Sequence, residues 1–358
     1  MRASTNLDML RAIAVLFVVL DHSLKFFGRP ALLGVDVQWV GKLGVMFFFV
    51  HTCLVLMMSL ERSVGEFSTR QLICNFYLRR IFRIYPLSVF AIIFVLLFSV
   101  PSAGIEAPFS IAQFTPSTKD LLLNLLLMQN FHHGRSIIAV LWSLPFEVQM
   151  YAFLPFFFLL LARKGRLAWL FVIWVLGWIA AYLLRPHAIF LAQFIPGVIA
   201  YAILKRVKKP SIPGWAWPLF LGCLTIAFLA LSPSFTTGGV ACLLLGVLLP
   251  NFKEIGSKSV NITTHNIAKY SYGVYLSHMF CLWLAFIHFR SQSMALRSVV
   301  FVSLLAGIPV LLFYIIEDPF MRGGSMLAER LFVSRSKHEK KTTMDMRVEE
   351  LEETASGL

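Results

Sequence analysis

The chain has 358 residues, of which 58% are hydrophobic and only 14% are charged. Soluble domains carry roughly 25% charged residues, and apolar runs of about 18 residues recur along this chain, so a soluble protein with a large core is excluded. The formal net charge of +14 does not indicate a nucleic-acid partner, because the charges fall in short loops between the apolar segments.

Ten apolar segments follow one another and predict an all-α, polytopic transmembrane helical bundle of about ten spans. The first segment resembles a signal peptide, but Asp8 and Arg11 precede its apolar run and no small-residue cleavage site follows it, so we expect a retained helix. The predicted spans lie near residues 9–27, 38–60, 84–100, 136–162, 167–184, 188–204, 214–231, 236–250, 270–288 and 296–316.

The basic residues orient these spans. Lys and Arg are concentrated in alternate loops, and the positive-inside rule assigns those loops and both termini to the cytoplasm. Residues 1–321 are predicted to form one transmembrane domain, and residues 322–358 a charged cytoplasmic tail that is disordered. The basic start of the tail favours anionic membrane lipid. The apolar stretch 120–130 is too short to span and suits a re-entrant or interfacial helix.

The first span carries polar residues that are costly inside a membrane. Arg11 and His22 are eleven residues apart, which places both on one helix face about 16 Å from each other. Asp8 lies one turn before Arg11 and can orient it. His22 can accept a proton from a hydroxyl near neutral pH, as acyl transfer to an alcohol requires. The alternative is that Asp8 and Arg11 anchor the helix at the interface while His22 bonds a neighbouring helix.

Three arginines, Arg79, Arg80 and Arg83, cluster within about one turn at the start of the third span, where Pro86 can bend the chain. Guanidinium groups match phosphate geometry with paired hydrogen bonds. The cluster therefore indicates a site for a phosphorylated donor on the cytoplasmic side. The alternative is a topology signal, which needs positive charge but not this density.

Inside the fourth span, Trp142 and Ser143 precede Glu147, and a four-residue spacing predicts Ser143, Glu147 and Tyr151 on one helix face. A carboxylate at this depth needs a partner, and Arg11 or His22 is suitable. The alternative is a buried pair with a purely structural role.

Other polar residues give weaker signals. His132 and His133 are expected in an outer loop and His51 in a structural role. His278 suits packing better than chemistry, and Glu317 is expected to pair with a cytoplasmic arginine. Five Cys without paired spacing indicate neither a disulfide framework nor a metal site.

These segments, taken in order from about residue 7 to 320, resemble the motifs of the acyltransferase 3 family of bacterial membrane acyltransferases. LDMLRAIAVLFVVLDH is similar to its opening motif, with Arg11 and His22 as the arginine and histidine. GVMFFFV, RRIFRIYP, LWSLPFEVQMY, SYGVYLSH and EDPF resemble the motifs that follow. The chain departs from the pattern at Met46, where an acidic residue is usual, and also at His51, Thr52, Pro145 and Val148.

The resemblance implies a transferase of the bacterial inner membrane that moves an acyl group, commonly acetyl, from acyl-coenzyme A to a hydroxyl of a carbohydrate or glycolipid. No permanently bound cofactor is implied. The three clustered arginines would hold the donor phosphates. His22 would act as the general base or carry the acyl group transiently. Arg11 would stabilise charge near the thioester, and Glu147 would orient a cationic partner.

Two other functions remain open from the sequence. The same intramembrane charges could line the path of a solute carrier or lipid flippase, although neither inverted repeats nor matching interrupted helices are evident. The protein could also relay an acyl group to a separate extracytoplasmic enzyme. Consumption of acyl-coenzyme A separates the enzyme from the carrier.

Overall fold

Almost all of the described chain is helical. The computed structural model describes residues 4–29, 31–32, 34–100, 116–132, 135–164, 167–183 and 190–333. The helices are α1 (Thr5–Phe26), α2 (Gln38–Arg62), α3 (Thr69–Leu97), α4 (Thr118–Leu125), α5 (Leu144–Lys164), α6 (Leu167–Leu183), α7 (Leu191–Leu204), α8 (Ala216–Ala230), α9 (Phe235–Leu248), α10 (Lys258–Trp283), α11 (Met294–Leu312) and α12 (Asp318–Ala328).

Short irregular pieces join these helices. An antiparallel hairpin of two-residue strands, β1 (Ala31–Leu32) and β2 (Val35–Asp36), lies between α1 and α2. Three 3₁₀ turns and three π-helical turns complete the described structure: Gln129–His132, Ala139–Ser143, Leu249–Asn251, Leu284–His288, Phe313–Glu317 and Glu329–Val333.

The length of the helices agrees with a membrane protein. Five helical stretches are long and apolar enough to cross a bilayer: Gln38–Arg62, Thr69–Leu97, Ala139–Leu161, Lys258–His288 and Met294–Phe332. Shorter apolar helices coincide with the predicted spans near 167–184, 188–204, 214–231 and 236–250. Helix α1 is long enough but carries Asp8, Arg11, Asp21 and Lys25, which breaks its apolar run.

Helix α3 begins much earlier than the apolar run predicts. Ser68 caps its first turn, where the Ser68 hydroxyl accepts from the backbone of Gln71 and the Gln71 side chain accepts from the backbone of Ser68. Such a cap is worth about 1 kcal/mol. The arginine cluster therefore lies in the middle of a continuous helix rather than at its end, and Pro86 is inside the same helix.

Helix α1 packs against both α2 and α10. Its approach to α2 is close, since a side chain at Gly44 would collide with the backbone carbonyl of Ala14. Helix α2 in turn packs on α7, where Gly197 lies against the carbonyl of Val50. Small residues at such crossings let helix backbones approach in a membrane, where dispersion replaces the hydrophobic effect.

The C-terminal helices correct one sequence prediction. Helix α12 packs against α3, with Gly324 beside Phe82. The helix continues as a π-helical turn to Val333. The tail that was expected to be disordered from residue 322 is therefore helical up to residue 333, and residues 334–358 lie outside the described chain. The short apolar stretch near 120–130 forms only the eight-residue helix α4 and the 3₁₀ turn that follows it.

Candidate active site

A cavity of about 120 Å³ lies where α1, α2, α3, α5 and α10 meet, and it is called the arginine cavity here. Three guanidinium groups and one carboxylate contribute to its wall. Its charged and titratable lining residues are Arg11, His51, Arg80, Arg83, Glu147, Tyr151, Tyr272 and Tyr275. The excess of positive charge makes the cavity suited to an anionic ligand.

Arg83 joins α3 to the end of α11 through an ion pair. Its Nη1 lies 2.8 Å from Oε2 of Glu317, whose side chain is fully buried. Glu317 belongs to the π-helical turn Phe313–Glu317, and this is the kind of pairing with an arginine that the sequence predicts for it. Because Arg83 also lines the arginine cavity, the ion pair fixes one of the cavity's cations in place.

The other two clustered arginines face different surroundings. Arg80 lines the arginine cavity, and its buried Nε has no hydrogen-bond partner within the described residues. Arg79 donates from Nε to the side chain of Asn75 at 3.0 Å and lines a smaller pocket that it shares with Arg80. The three arginines therefore do not converge on one point, and Arg80 links the two spaces.

Glu147 lies in the first turn of α5 and accepts a hydrogen bond from the hydroxyl of Tyr151, one turn later. Arg11, Arg80 and Arg83 line the same cavity as Glu147, but among the described residues none of them forms an ion pair with its carboxylate. Arg11, one of the two partners that the sequence suggests for Glu147, therefore shares its cavity without a direct ion pair. His22, the other candidate partner, is not part of this cavity.

Trp142 and Ser143 belong to the 3₁₀ turn Ala139–Ser143 rather than to α5, but Ser143, Glu147 and Tyr151 all line the arginine cavity, in agreement with a common face. Ser143 also contacts Tyr275 of α10. The hydroxyl of Tyr275 donates to the carbonyl of Val140 at 2.5 Å. The Tyr275 hydroxyl has one proton, which this bond uses. The Ser143 hydroxyl must therefore be the donor in its 2.7 Å hydrogen bond to the Tyr275 oxygen.

His22 opens onto a second cavity of about 100 Å³, the histidine cavity, between α1 and α2. Arg11 and His22 thus line different cavities although both are on α1. Tyr275 and α10 form the wall that the cavities share. The polar lining residues of the histidine cavity are Asp21, His22, Lys25, Gln38, Lys42, Trp142 and Tyr275.

Two contacts around His22 are not evident from the sequence. Asp21, adjacent to His22, is buried and pairs with Lys25 at 2.9 Å. His278 is fully buried, and its Nε2 lies 2.8 Å from Nδ1 of His22. The serine and tyrosines around His278 made packing the simpler interpretation, and only the fold brings α10 against α1.

The contact of Asp8 differs from the prediction that it orients Arg11. It lies one turn before Arg11, but its carboxylate bonds the ring of His265 on α10 at 2.9 Å. Asp8 therefore ties the first turn of α1 to α10. His51, expected to be structural, is buried in the wall of the arginine cavity. His132 lies in a 3₁₀ turn, and His133 falls outside the described residues.

The comparison with protein families shows the family of the chain. The sequence model of the acyltransferase 3 family, described as an acyltransferase domain, matches residues 4–317. The chain belongs to this family. The match covers all the helices that line both cavities and ends at Glu317, so the acyltransferase 3 domain is a membrane-embedded transferase domain. Comparisons with curated proteins and with solved structures found no match.

Proposed function

We propose that this acyltransferase 3 protein transfers an acyl group, acetyl in the simplest case, from acyl-coenzyme A to a hydroxyl of a carbohydrate or glycolipid in the bacterial inner membrane. The observation that carries the proposal is the charge of the arginine cavity, where Arg11 and Arg80 outnumber the one lining carboxylate even when Arg83 is counted as paired with Glu317. Coenzyme A is a multiply phosphorylated donor, and guanidinium groups are its natural ligands.

The proposed reaction runs between the two cavities. Arg79 and Arg80 hold donor phosphates, and Arg11 stabilises negative charge near the thioester. His22 takes the proton from the acceptor hydroxyl while the oxygen of that hydroxyl attacks the thioester carbonyl carbon. The carbon–sulfur bond then breaks, and the thiolate leaves and takes the proton from His22 to give free coenzyme A. Tyr275 borders both cavities, so the thioester is proposed to lie beside it.

Transient acylation of His22 is a second route to the same product. The ring nitrogen would attack the thioester first, and the hydroxyl would then attack the acyl-imidazole. Both routes need an unprotonated ring nitrogen on His22. In both routes the arginines bind the donor.

Donor binding tests the role of the arginine cavity. Arg80→Gln should weaken acetyl-coenzyme A binding by about tenfold or more, because a charge-assisted hydrogen bond is worth about 1.5–3 kcal/mol. Binding of acetyl-pantetheine, which has no phosphates, should be unaffected. Arg83 is left intact, because its removal would strand the buried carboxylate of Glu317. The measurement is calorimetric titration of the purified protein in nanodiscs.

The matched control is Lys205→Gln, which removes a cation that is ion-paired with Glu61 at 2.7 Å on the surface. This variant should bind acetyl-coenzyme A as the parent does. Equal affinity of the parent and Arg80→Gln for acetyl-coenzyme A would show that Arg80 does not contact the donor.

We also propose ten spans with both termini in the cytoplasm, because that arrangement puts the basic loops inside. Reporter fusions after residues 34 and 110 should give an extracytoplasmic signal, and fusions after 66, 208 and 340 a cytoplasmic one. A cytoplasmic signal at residue 110 would reverse the assigned direction of the third span.

A further inference from the structure

His22 is one end of a hydrogen-bonded chain that runs into α10. Nδ1 of His22 lies 2.8 Å from Nε2 of His278, and Nδ1 of His278 lies 3.0 Å from the carbonyl oxygen of Val274. His278 is fully buried, and Val274 precedes it by one helical turn. A carbonyl oxygen has two lone pairs, so it can serve both the helix and the ring.

The direction of each hydrogen bond in this chain follows from its last member. A carbonyl can only accept, so Nδ1 of His278 carries the proton of that bond. A neutral imidazole has a single N–H, which leaves Nε2 of His278 as an acceptor. Nδ1 of His22 must then be the donor. The remaining nitrogen of His22, Nε2, consequently has its lone pair free.

This tautomer is the one that general-base catalysis requires. An imidazole with hydrogen on Nδ1 can take a proton at Nε2, whereas the opposite tautomer presents an N–H there and cannot. An isolated histidine exchanges between the two forms. A fixed acceptor at Nδ1 removes the unproductive form and also holds the ring in one orientation.

We propose that His278 is a positioning residue that fixes His22 as the Nδ1–H tautomer, with the backbone carbonyl of Val274 in the place that a carboxylate occupies in other relays. These two neutral rings and the carbonyl carry no net charge, so the hydrogen-bonded series places no ionised carboxylate beside the buried ring of His278. The catalytic consequence rests on the proposed function of His22, but the tautomer itself does not.

The first test is spectroscopic and needs no acyl transfer. Nitrogen-15 NMR of the purified full chain in nanodiscs distinguishes protonated from unprotonated ring nitrogens, and His22→Gln identifies the His22 signals by their loss. In the parent, Nδ1 of His22 should carry the proton and Nε2 should not. In His278→Leu, His22 should exchange between both forms. A protonated Nε2 in the parent would overturn the inference whatever the protein catalyses.

The second test is kinetic. His278→Leu should lower kcat by about 10²-fold, less than the roughly 10⁴-fold that a fixed wrong tautomer costs in a Ser-His-Asp triad, and should leave the KM for acetyl-coenzyme A unchanged. His278→Gln should recover most of kcat, because its amide oxygen can accept from Nδ1 of His22. Size-exclusion profiles and thermal melting of each variant identify any loss that comes from misfolding.

The outcomes of the two tests are distinguishable. Normal kcat in a folded His278→Leu variant would overturn the positioning role, even if the tautomer is as inferred. Equal losses in the Leu and Gln variants, with an unchanged His22 tautomer, would reduce His278 to packing. Normal kcat in His22→Gln would instead overturn the proposed base and leave the tautomer result standing.

Discussion

Replacing His22 with Ala, Asn or Gln should lower the rate of acyl transfer by about 10²–10⁴-fold, the usual contribution of a general base. Asn and Gln can make hydrogen bonds but cannot accept a proton, so they should be about as damaging as Ala. Donor affinity should not change, because His22 does not line the arginine cavity. The measurements are product formed per unit of folded protein and the Kd for acetyl-coenzyme A.

A purely structural His22 would give a different pattern. Gln could keep a hydrogen bond to His278, so it would preserve turnover, and Ala would lower protein yield together with activity. Near-normal turnover in the Gln variant would remove His22 from the reaction.

Arg83→Gln should destabilise the fold by about 3–5 kcal/mol, because it leaves the buried carboxylate of Glu317 without its cation. Glu317→Gln should be damaging for the converse reason. The double variant Arg83→Gln, Glu317→Gln should be more stable than either single variant, since two amides can bond each other without a buried charge. Thermal or denaturant unfolding of the parent and the three variants is measured in detergent. The differences between their free energies of unfolding give the coupling energy of the pair.

A second ion pair of similar length is the control. Lys205 and Glu61 are 2.7 Å apart, but their side chains are 54% and 39% exposed. Lys205→Gln should therefore cost about 0–1 kcal/mol. If Arg83→Gln is no more destabilising than Lys205→Gln, burial does not make the Arg83–Glu317 pair important.

The sequence predicts well what depends on neighbouring residues. Apolar runs mark helices that the structure contains, and the order of the motifs indicates the family to which the chain belongs. The start of α3 was missed because the arginines interrupt its apolar run. A helix needs a cap and backbone hydrogen bonds rather than apolar side chains, and the Ser68 cap supplies its start.

The site itself depends on contacts between distant parts of the chain. His22 meets His278, and Arg83 meets Glu317, across more than 200 residues. Helix periodicity places residues on a face but does not say which helix covers that face. Asp8 is an example, because its nearest arginine in sequence is Arg11, whereas the packing of α10 on α1 brings His265 to it instead.

The most direct test of acyl transfer follows a labelled acyl group. Membranes containing the protein are supplied with acetyl-coenzyme A labelled in its acetyl group, and coenzyme A release and labelled glycans are measured. His22→Gln membranes and membranes without the protein are the controls. The account predicts coenzyme A release and ester-linked label on carbohydrate hydroxyls, both dependent on His22. If neither coenzyme A release nor labelled carbohydrate exceeds the controls, the result contradicts the account and favours a carrier.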